Sequence, residues 1–207
     1  MSEKEKMLAG MIYETCDPAL DKARLSCHDL CRAFNALSET DPTRGALLAK
    51  LLPNADKSFA LVGPCYFDYG SNIHIGKNCF ANFNFTVLDT CEVNIGDDVF
   101  FGPNVTIVTP IHPLIGDERK MRFKEDLTPF DLEYGAPIEI GSNTWIASNV
   151  VIGPGVKIGK NCVIGMGSVV TKDIPDGYMA YGNPARAVRK ISEADSIYNK
   201  ERLWGHE

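Results

Sequence analysis

Aliphatic residues recur at every sixth position along the second half of the chain. The longest unbroken series has six β-branched members, which are Ile140, Ile146, Ile152, Ile158, Ile164 and Val170. In four of these repeats a glycine follows the aliphatic residue directly. A period of six fits neither the 3.6-residue turn of a helix nor the two-residue alternation of a strand. It fits a chain that turns a corner every six residues and points one aliphatic side chain of each short strand inward.

Stacked coils of this kind form a parallel β-helix built from hexapeptide repeats. An ordinary sheet protein rich in Val and Ile is the alternative, but its turns would not keep one period. The same step appears earlier in two shorter series, Ile75, Ala81, Val87 and then Ile95, Phe101, Ile107. The register shifts by two residues between these series. A larger interval before Ile140 predicts a projecting loop at about residues 108–137, and a long loop in a compact repeat domain is usually functional.

The first 60 residues have a different pattern, which predicts helices. Two Asp-Pro pairs, at Asp17 and Asp41, are typical helix starts with an N-cap followed by proline. The sequence therefore predicts a mainly β protein in three segments: an N-terminal helical segment (1–60), a β-helix (61–186), and a C-terminal basic turn with a helical tail (187–207). A helical segment beside a repeat domain would cover the terminal coil.

Composition narrows the possible partners and compartments. The chain has 207 residues and a formal charge of -6, which disfavours nucleic acid and anionic membranes as partners. No apolar run reaches the length of a membrane span, and no signal-peptide core follows the N-terminus. Seven cysteines without a CxxC pair indicate reduced thiols, which predicts a cytoplasmic protein.

Several short motifs give the chain a family resemblance. They are YFDYGSNIHIG at 66–76, ANFN at 81–84, Leu88-Asp89, His112-Pro113, GNPAR at 182–186, EKEKMLAG at 3–10 and Arg24-Leu25. Together with the repeats, these motifs resemble the maltose and galactoside O-acetyltransferases of the hexapeptide acyltransferase superfamily. The resemblance implies left-handed coils, a homotrimer with active sites between subunits, and acetyl-CoA as co-substrate. It also implies acetyl transfer to a hydroxyl of a small sugar such as maltose, glucose or a galactoside.

Transfer to a hydroxyl needs a base for the proton, and histidine is the natural base near neutral pH. Of the four histidines, only His112 lies at the root of the projecting loop, and it also matches the catalytic position of the family. His28 falls in a predicted helix, His74 in a coil strand and His206 in the tail. His112 is therefore the predicted general base.

The resemblance also implies which residues contact the acceptor. They are Asn82, Asp89, Asp68 and Glu133. Galactoside enzymes have an Asp-Asp pair where this chain has Asp89-Thr90, so either residue could contact sugar. Asp68 replaces a serine, which leaves the sugar preference open. Glu133 is expected to orient His112 or to line the site, although a solvated surface glutamate is an equal alternative.

Coenzyme A is expected along the repeats and the C-terminus. The matching positions are Ser148, Met166, Thr171, Lys172, Arg186 and Arg189. The resemblance implies that the backbone N–H near Ser148 stabilises the oxyanion, while the basic residues supply positive charge for phosphates. A solvated basic face would explain the same charges without a ligand.

Three alternatives to a sugar acetyltransferase remain. The acceptor could be a non-sugar hydroxyl or an amine. A zinc enzyme is disfavoured because only His74 and His112 lie in the repeat region, so no metal is predicted. A purely structural β-helix would leave the loop with His112 and the basic cluster unexplained.

Overall fold

The computed structural model describes residues 1–204 and confirms a mainly β protein with a parallel β-helix, N-terminal helices and a projecting loop. His206 lies outside the described residues. The helices are α1 (Glu3–Leu8), α2 (Pro18–Asn35), α3 (Arg44–Leu51) and α4 (Gly116–Arg119). Asp17 is the N-cap of α2, as predicted, and its carboxylate accepts the N–H groups of Ala19 and Leu20. Helix α3 begins two residues after the predicted Asp41-Pro42 start, because Asp41 instead accepts the N–H of Thr43 in a local turn.

The strands are short, as expected for coils that turn every few residues. They are β1 (Tyr13–Glu14), β2 (Ala60–Leu61), β3 (Cys65–Phe67), β4 (Ile73–Ile75), β5 (Phe80–Ala81), β6 (Phe85–Leu88), β7 (Val93–Ile95), β8 (Phe100–Phe101), β9 (Thr106–Val108), β10 (Pro110–Ile111), β11 (Arg122–Phe123), β12 (Pro129–Phe130), β13 (Leu132–Gly135), β14 (Ile138–Ile140), β15 (Trp145–Ile146), β16 (Val151–Ile152), β17 (Lys157–Ile158), β18 (Val163–Ile164), β19 (Val169–Val170), β20 (Tyr178–Gly182) and β21 (Ala185–Lys190).

Three sheets form the faces of the β-helix, and the chain visits them in turn. Face one contains β2, β5, β8, β15, β18, β20 and β21; face two contains β3, β6, β9, β16 and β19; face three contains β4, β7, β14 and β17. Residues one coil apart pair in parallel, so Ile140 stacks on Ile158, Ile146 on Ile164, and Ile152 on Val170. The predicted period of six therefore moves the chain from one face to the next, and three repeats close one coil. The left-handed winding remains the expectation from the family resemblance.

The two-residue register shift has a definite location. The corner between faces two and three, called the two–three corner, includes residues 68–72 in the first coil and 89–92 in the second. Across it, Phe67 and Ile75 or Val87 and Ile95 are eight positions apart, whereas the stacked residues Ile152 and Ile158 are six apart. In the third coil the same corner carries the loop, because β9 ends at Val108 and β14 begins at Ile138. Three successive coils therefore depart from the hexad spacing at one place, and these departures lie next to each other.

The projecting loop is anchored to the N-terminal segment. Strand β13 pairs antiparallel with β10 on one side and with β1 on the other, which makes a three-stranded sheet. In this register Tyr13 lies opposite Glu133, and Ile111 lies opposite Tyr134. The N-terminal segment thus covers the β-helix and also holds the root of the loop.

The C-terminal region differs from the predicted basic turn. Strands β20 and β21 form an antiparallel hairpin on face one, so the predicted boundary between 186 and 187 falls inside a strand. The expected helical tail consists of three short 3₁₀ segments, at Glu193–Asp195, Ile197–Asn199 and Glu201–Trp204. The hairpin adds a last layer to face one and thereby covers the end of the core.

The core is a column of aliphatic and aromatic side chains inside the coils. The cysteines at 27, 31, 65, 79, 91 and 162 are buried thiols, while Cys16 is half-buried. Within residues 1–204, every helix is too short or too polar to cross a bilayer.

Truncation of one core aliphatic should destabilise the protein strongly. Ile158 is buried in β17, whereas its neighbour Lys157 is exposed and pairs with Glu139 at 2.9 Å. We expect Ile158→Ala to lower the free energy of unfolding by about 2–5 kcal/mol, because it leaves a cavity between stacked coils. Lys157→Ala should change it by less than about 1 kcal/mol, since exposed ion pairs contribute little. Urea denaturation at one fixed protein concentration measures both, and equal effects would contradict the stacked core.

Candidate active site

His112 follows β10 at the root of the projecting loop, and its side chain is 54% exposed. Its Nε2 atom lies 3.4 Å from the Oε2 atom of Glu133. Because β10 and β13 are paired, the sheet itself holds the imidazole beside this carboxylate. The pair joins a solvent-accessible histidine to a buried acid, which is a suitable arrangement for a general base.

Glu133 is buried in the sheet formed by β1, β10 and β13. Burial raises the pKa of its carboxyl group, while a hydrogen bond donated by the Tyr13 hydroxyl and the proximity of His112 lower it in part. Burial and the adjacent carboxylate also raise the pKa of Tyr13, so its hydroxyl stays protonated and donates. Glu133 is therefore held on one oxygen by Tyr13 and faces His112 with the other.

Asp68 lies on the same side of the molecule, at the two–three corner of the first coil. Its Oδ1 atom is 3.6 Å from the Nε2 atom of His28 on α2. Burial raises the pKa of Asp68, although His28 and Arg24 oppose this effect. The charge of Asp68 also raises the pKa of Glu133, so the two carboxylates lie near one another. His112, Glu133 and Asp68 therefore all lie at the two–three corner, beside the N-terminal segment.

Asp89 has a structural position instead of the expected contact with the acceptor. Its side chain is fully buried, and it accepts the backbone N–H groups of Asp68, Tyr69 and Asn72. Thr90 is buried as well and shares a hydrogen bond with Thr109. A carboxylate with no exposed surface and three backbone donors fixes the corner that carries Asp68, so Asp89 is corrected from a contact residue to a support of that corner.

A second group of predicted residues lies at the corner between faces one and two, called the one–two corner. Asn82, Ser148 and Met166 occupy it in different coils. The Oδ1 atom of Asn82 accepts the N–H of Phe83 at 2.8 Å. Within residues 1–204, the backbone N–H groups of Ser148 and Met166 have no hydrogen-bond acceptor. Two unpaired donors at stacked corner positions are suited to a carbonyl or oxyanion.

The remaining predicted residues are distributed over the last coil and the hairpin. Thr171 and Lys172 are exposed and follow β19 at the two–three corner, below the loop. Arg186 and Arg189 are exposed on β21. Arg189 makes two hydrogen bonds with Asp195, each 2.7 Å long. The basic residues Lys172, Arg186 and Arg189 thus lie at the C-terminal end of the β-helix, where Asp195 pairs with Arg189.

The width of face two separates His112, at the two–three corner, from Ser148 and Met166, at the one–two corner. In the fourth coil, strand β16 lies between Ser148 and the two–three corner. An extended segment of four to six residues spans roughly 13–20 Å. Within one chain, the histidine and the unpaired N–H groups therefore do not meet.

Sequence reasoning missed Tyr13 and His28, which contact Glu133 and Asp68. Tyr13 is 120 positions away from Glu133 along the chain. No local sequence pattern predicts a partner at that distance, because only the pairing of β1 with β13 brings Tyr13 and Glu133 together. Among the described residues, no three His, Cys, Asp or Glu side chains are grouped so that they could hold a metal ion.

Two family models match the chain. The model described as bacterial transferase hexapeptide (six repeats) matches residues 137–172, and the maltose acetyltransferase hexapeptide capping motif matches residues 6–56. The first match covers the coils with Ser148 and Met166, and the second covers the end of α1 and all of α2 and α3. The repeats and the site together define a hexapeptide-repeat acyltransferase.

Similar proteins specify the family. Galactoside O-acetyltransferase of Escherichia coli (strain K12) is 40% identical over 199 residues, which cover 96% of this chain and 94% of that protein. A maltose O-acetyltransferase structure from Clostridium difficile 630 has a TM-score of 0.83 at 43% identity, over 93% of this chain and 99% of that one. A galactoside acetyltransferase structure in complex with coenzyme A has a TM-score of 0.81 at 39% identity, over 94% of each chain. The chain belongs to the maltose and galactoside O-acetyltransferase family, and it is an acetyltransferase.

The buried position of Asp89 predicts a pH-dependent stability. Burial raises its pKa from 3.8 to about 7. Its contribution to stability is therefore present below about pH 4 and is lost as the pH rises through about 7, a loss of at most about 4 kcal/mol. Asp89→Asn cannot ionise and should lack this loss. Urea unfolding of both proteins between pH 4 and 8 measures the difference.

The surface residue Asp117, with a side chain 89% exposed, offers the matched control Asp117→Asn. This control should follow the pH profile of the unmodified protein. A constant offset between Asp89→Asn and the unmodified protein across this pH range would contradict the raised pKa.

Proposed function

We propose that this protein transfers the acetyl group of acetyl-CoA to a hydroxyl group of a small sugar, with His112 as the general base. The observation that carries the proposal is the His112–Glu133 pair, which places a half-exposed imidazole 3.4 Å from a buried carboxylate at the loop root. The family membership supports the reaction class, and the complex of a similar protein with coenzyme A supports the donor.

The proposed reaction uses the side chain of His112 and the backbone of Ser148. His112 takes the proton of the acceptor hydroxyl while the oxygen attacks the thioester carbonyl carbon. Glu133 stabilises the imidazolium that forms, because its carboxylate faces the ring. The N–H of Ser148 donates to the tetrahedral oxyanion, since it has no acceptor within residues 1–204. Collapse of the intermediate breaks the carbon–sulfur bond, and the thiolate recovers the proton from His112 as free coenzyme A.

The acceptor is proposed to bind between Asp68 of one copy and Asn82 of a neighbouring copy. A carboxylate accepts hydrogen bonds from neighbouring hydroxyls, and an amide both donates and accepts. Similar proteins are called galactoside and maltose O-acetyltransferases, which supports a sugar of one or two rings. An acceptor with a non-sugar hydroxyl or an amine is the alternative. Free-thiol release across a panel of glucose, maltose, galactosides, serine and simple amines distinguishes these classes.

Acetyl-CoA is proposed to lie along the one–two corner, with its phosphates near the basic residues at the end of the β-helix. Met166 is 76% exposed at that corner and offers a backbone N–H without an acceptor among the described residues. Arg186 supplies a charge for phosphate oxygens from the same chain, whereas Thr171 and Lys172 lie at the two–three corner and would reach the phosphates from a neighbouring copy. Arg189 is held by Asp195 and would contact a phosphate from that fixed position.

The separation across face two supports active sites between subunits of a homotrimer. Acetyl transfer requires contact distances of about 3 Å between the reacting groups, and face two separates them by several times that length. If the one–two corner of one copy packs against the two–three corner of the next, His112 meets the Ser148 N–H of its neighbour. Face one also presents exposed aromatic rings, Phe100 and Trp145, which a second copy could cover.

Removal of the imidazole should abolish most of the activity. We expect His112→Ala to lower the rate of acetyl transfer by about 10²–10⁴-fold, since general base catalysis contributes that much. Binding of coenzyme A, measured by calorimetry, should stay unchanged. His74→Ala is the matched control, because His74 lies on face three, is similarly exposed and faces Glu92 instead of Glu133. A His112→Ala variant with near-full turnover would exclude this histidine as the base.

Complementation between two inactive variants should reveal the shared sites. Ser148→Pro removes the N–H proposed for the oxyanion, and Pro103 occupies the equivalent corner position one coil earlier, so the corner accepts proline. We expect Ser148→Pro alone to lose about 10²–10³-fold in rate. Random mixed trimers of His112→Ala and Ser148→Pro should regain about a quarter of full activity, because one neighbour pair in four is intact.

The mixed trimers are formed by co-expression, and their activity is compared with the mean of the two separate variants. Activity at that mean would place the whole site within one chain.

A further inference from the structure

Tyr13 is a buried partner of the Glu133–His112 pair, and the proposed reaction steps do not use it. Its side chain is 3% exposed, and its hydroxyl donates a hydrogen bond to the Oε1 atom of Glu133. The other oxygen of this carboxylate, Oε2, faces the Nε2 atom of His112 at 3.4 Å. Within residues 1–204, Tyr13 makes the one side-chain hydrogen bond to Glu133. The three side chains thus form a series from a buried phenol to a half-exposed imidazole.

The position of the Tyr13 ring is fixed from two sides. The ring packs with Met7 of α1 and Leu20 of α2 in a small buried cluster. One residue beyond β1, Thr15 donates its backbone N–H to the carbonyl oxygen of Asp131 at 3.3 Å, which extends the contact of β1 with β13. A donor that the fold holds in this way needs no reorganisation when the charge at the site changes.

Most of the surroundings of Glu133 oppose its negative charge. Besides Tyr13 and His112, the ionisable groups that act on it are Asp131, Asp68, Tyr69 and Cys91. Burial, which is the largest effect, and the two aspartates raise the pKa of Glu133, whereas the Tyr13 hydrogen bond and the proximity of His112 lower it. Because His112 changes its own charge when it takes a proton, Tyr13 is the neutral donor that favours the charged carboxylate throughout.

We propose that Tyr13 is a positioning residue for the reaction, which holds the Glu133 carboxylate toward His112 and limits the affinity of the Glu133–His112 pair for a proton. The inference rests on the proposed acetyl transfer with His112 as general base, and it adds the residue that sets the pH range in which this base is free. A hydrogen bond to the carboxylate stabilises the form of the pair that carries the negative charge, and the pair loses this charge when it binds a proton.

The first experiment measures kcat/KM for acetyl transfer as a function of pH, because the acid limb of this profile reports protonation of the base. Tyr13→Phe keeps the ring and removes the hydroxyl. The pair should then bind a proton more tightly, and the acid limb should move up by at least about half a pH unit, since hydrogen bonds to charged groups are strong. At a pH below the limb, the rate should fall at least about threefold relative to the unmodified protein.

Tyr134→Phe is the matched control for the loss of a hydroxyl. Tyr134 is the next residue of β13, and successive side chains of a strand point to opposite faces. Its acid limb should coincide with that of the unmodified protein. An acid limb that is unchanged in Tyr13→Phe, or that moves equally in Tyr134→Phe, would overturn the proposal.

A second variant keeps the Tyr13 hydroxyl and changes its strength as a donor. Replacement of Tyr13 by a fluorotyrosine with the fluorine beside the hydroxyl makes this hydroxyl a stronger donor, because fluorine withdraws electron density from the ring. The acid limb should then move down, opposite to its shift in Tyr13→Phe. Shifts of the two variants in the same direction would contradict the proposal, since disturbed packing has no reason to follow donor strength.

Nuclear magnetic resonance tests the role of Tyr13 independently of the acetyl transfer. The histidine ring carbons are labelled with carbon-13, and the His112 signal is assigned by its loss in His112→Ala. Its titration midpoint, followed without substrate, should move up in Tyr13→Phe and stay in place in Tyr134→Phe. This result in a protein that acetylates no sugar would support the coupling and exclude the proposed function. An unchanged midpoint in Tyr13→Phe with sugar acetylation intact would exclude the positioning role and leave the function standing.

Discussion

The stacking of buried aliphatic residues from one coil to the next is the constraint on which the rest of this molecule depends. Ile146 lies on Ile164 and Ile152 lies on Val170, so each coil must place its corners directly above those of the next. Coils are about 4.8 Å apart when parallel strands pair. Backbone groups at the corners therefore form regular columns. The N–H groups of Ser148 and Met166, which have no acceptor among residues 1–204, are part of one such column and need no special loop to be placed there.

The same constraint explains where the chain can depart from the repeat. Extra residues at a corner leave the stacked strands undisturbed, because they project outward, whereas an insertion within a strand would shift every inward side chain. In this chain the extra residues are added at the two–three corner of three successive coils. Residues 68–72 and 89–92 enlarge the corner, and the loop follows in the third coil. These additions hold Asp68, His112 and Glu133 of the candidate site and Asp89, which supports Asp68, so this part of the candidate site is built from departures at one corner.

The N-terminal segment completes this corner and changes its electrostatics. Strand β1 pairs with β13, and Tyr13 donates to Glu133 from a buried position. Burial of a carboxyl group without partners would be costly, and here Tyr13 and His112 compensate for the lost water. The helical segment therefore covers the end of the core and also sets the environment of the proposed base. Without it, Glu133 would lose the hydrogen bond donated by Tyr13.

Most of the fold could be predicted from the sequence, because the repeat pattern is a local property of the chain. Each hexad carries its own aliphatic residue and corner residues, so the period is readable without knowledge of distant contacts. His112 could be proposed as the general base because it lies at the root of a loop, and the interruption of the six-residue period indicates that loop. The structural role of Asp89 could not be predicted, since the sequence does not distinguish a buried carboxylate from an exposed one. Tyr13 and His28 were equally hidden, because their partners lie far away along the chain and are reached only through β-sheet pairing or the packing of α2 on the coils. Sequence patterns thus identify residues that belong to the repeat or interrupt it, whereas the contacts that adjust a site depend on how separate segments pack.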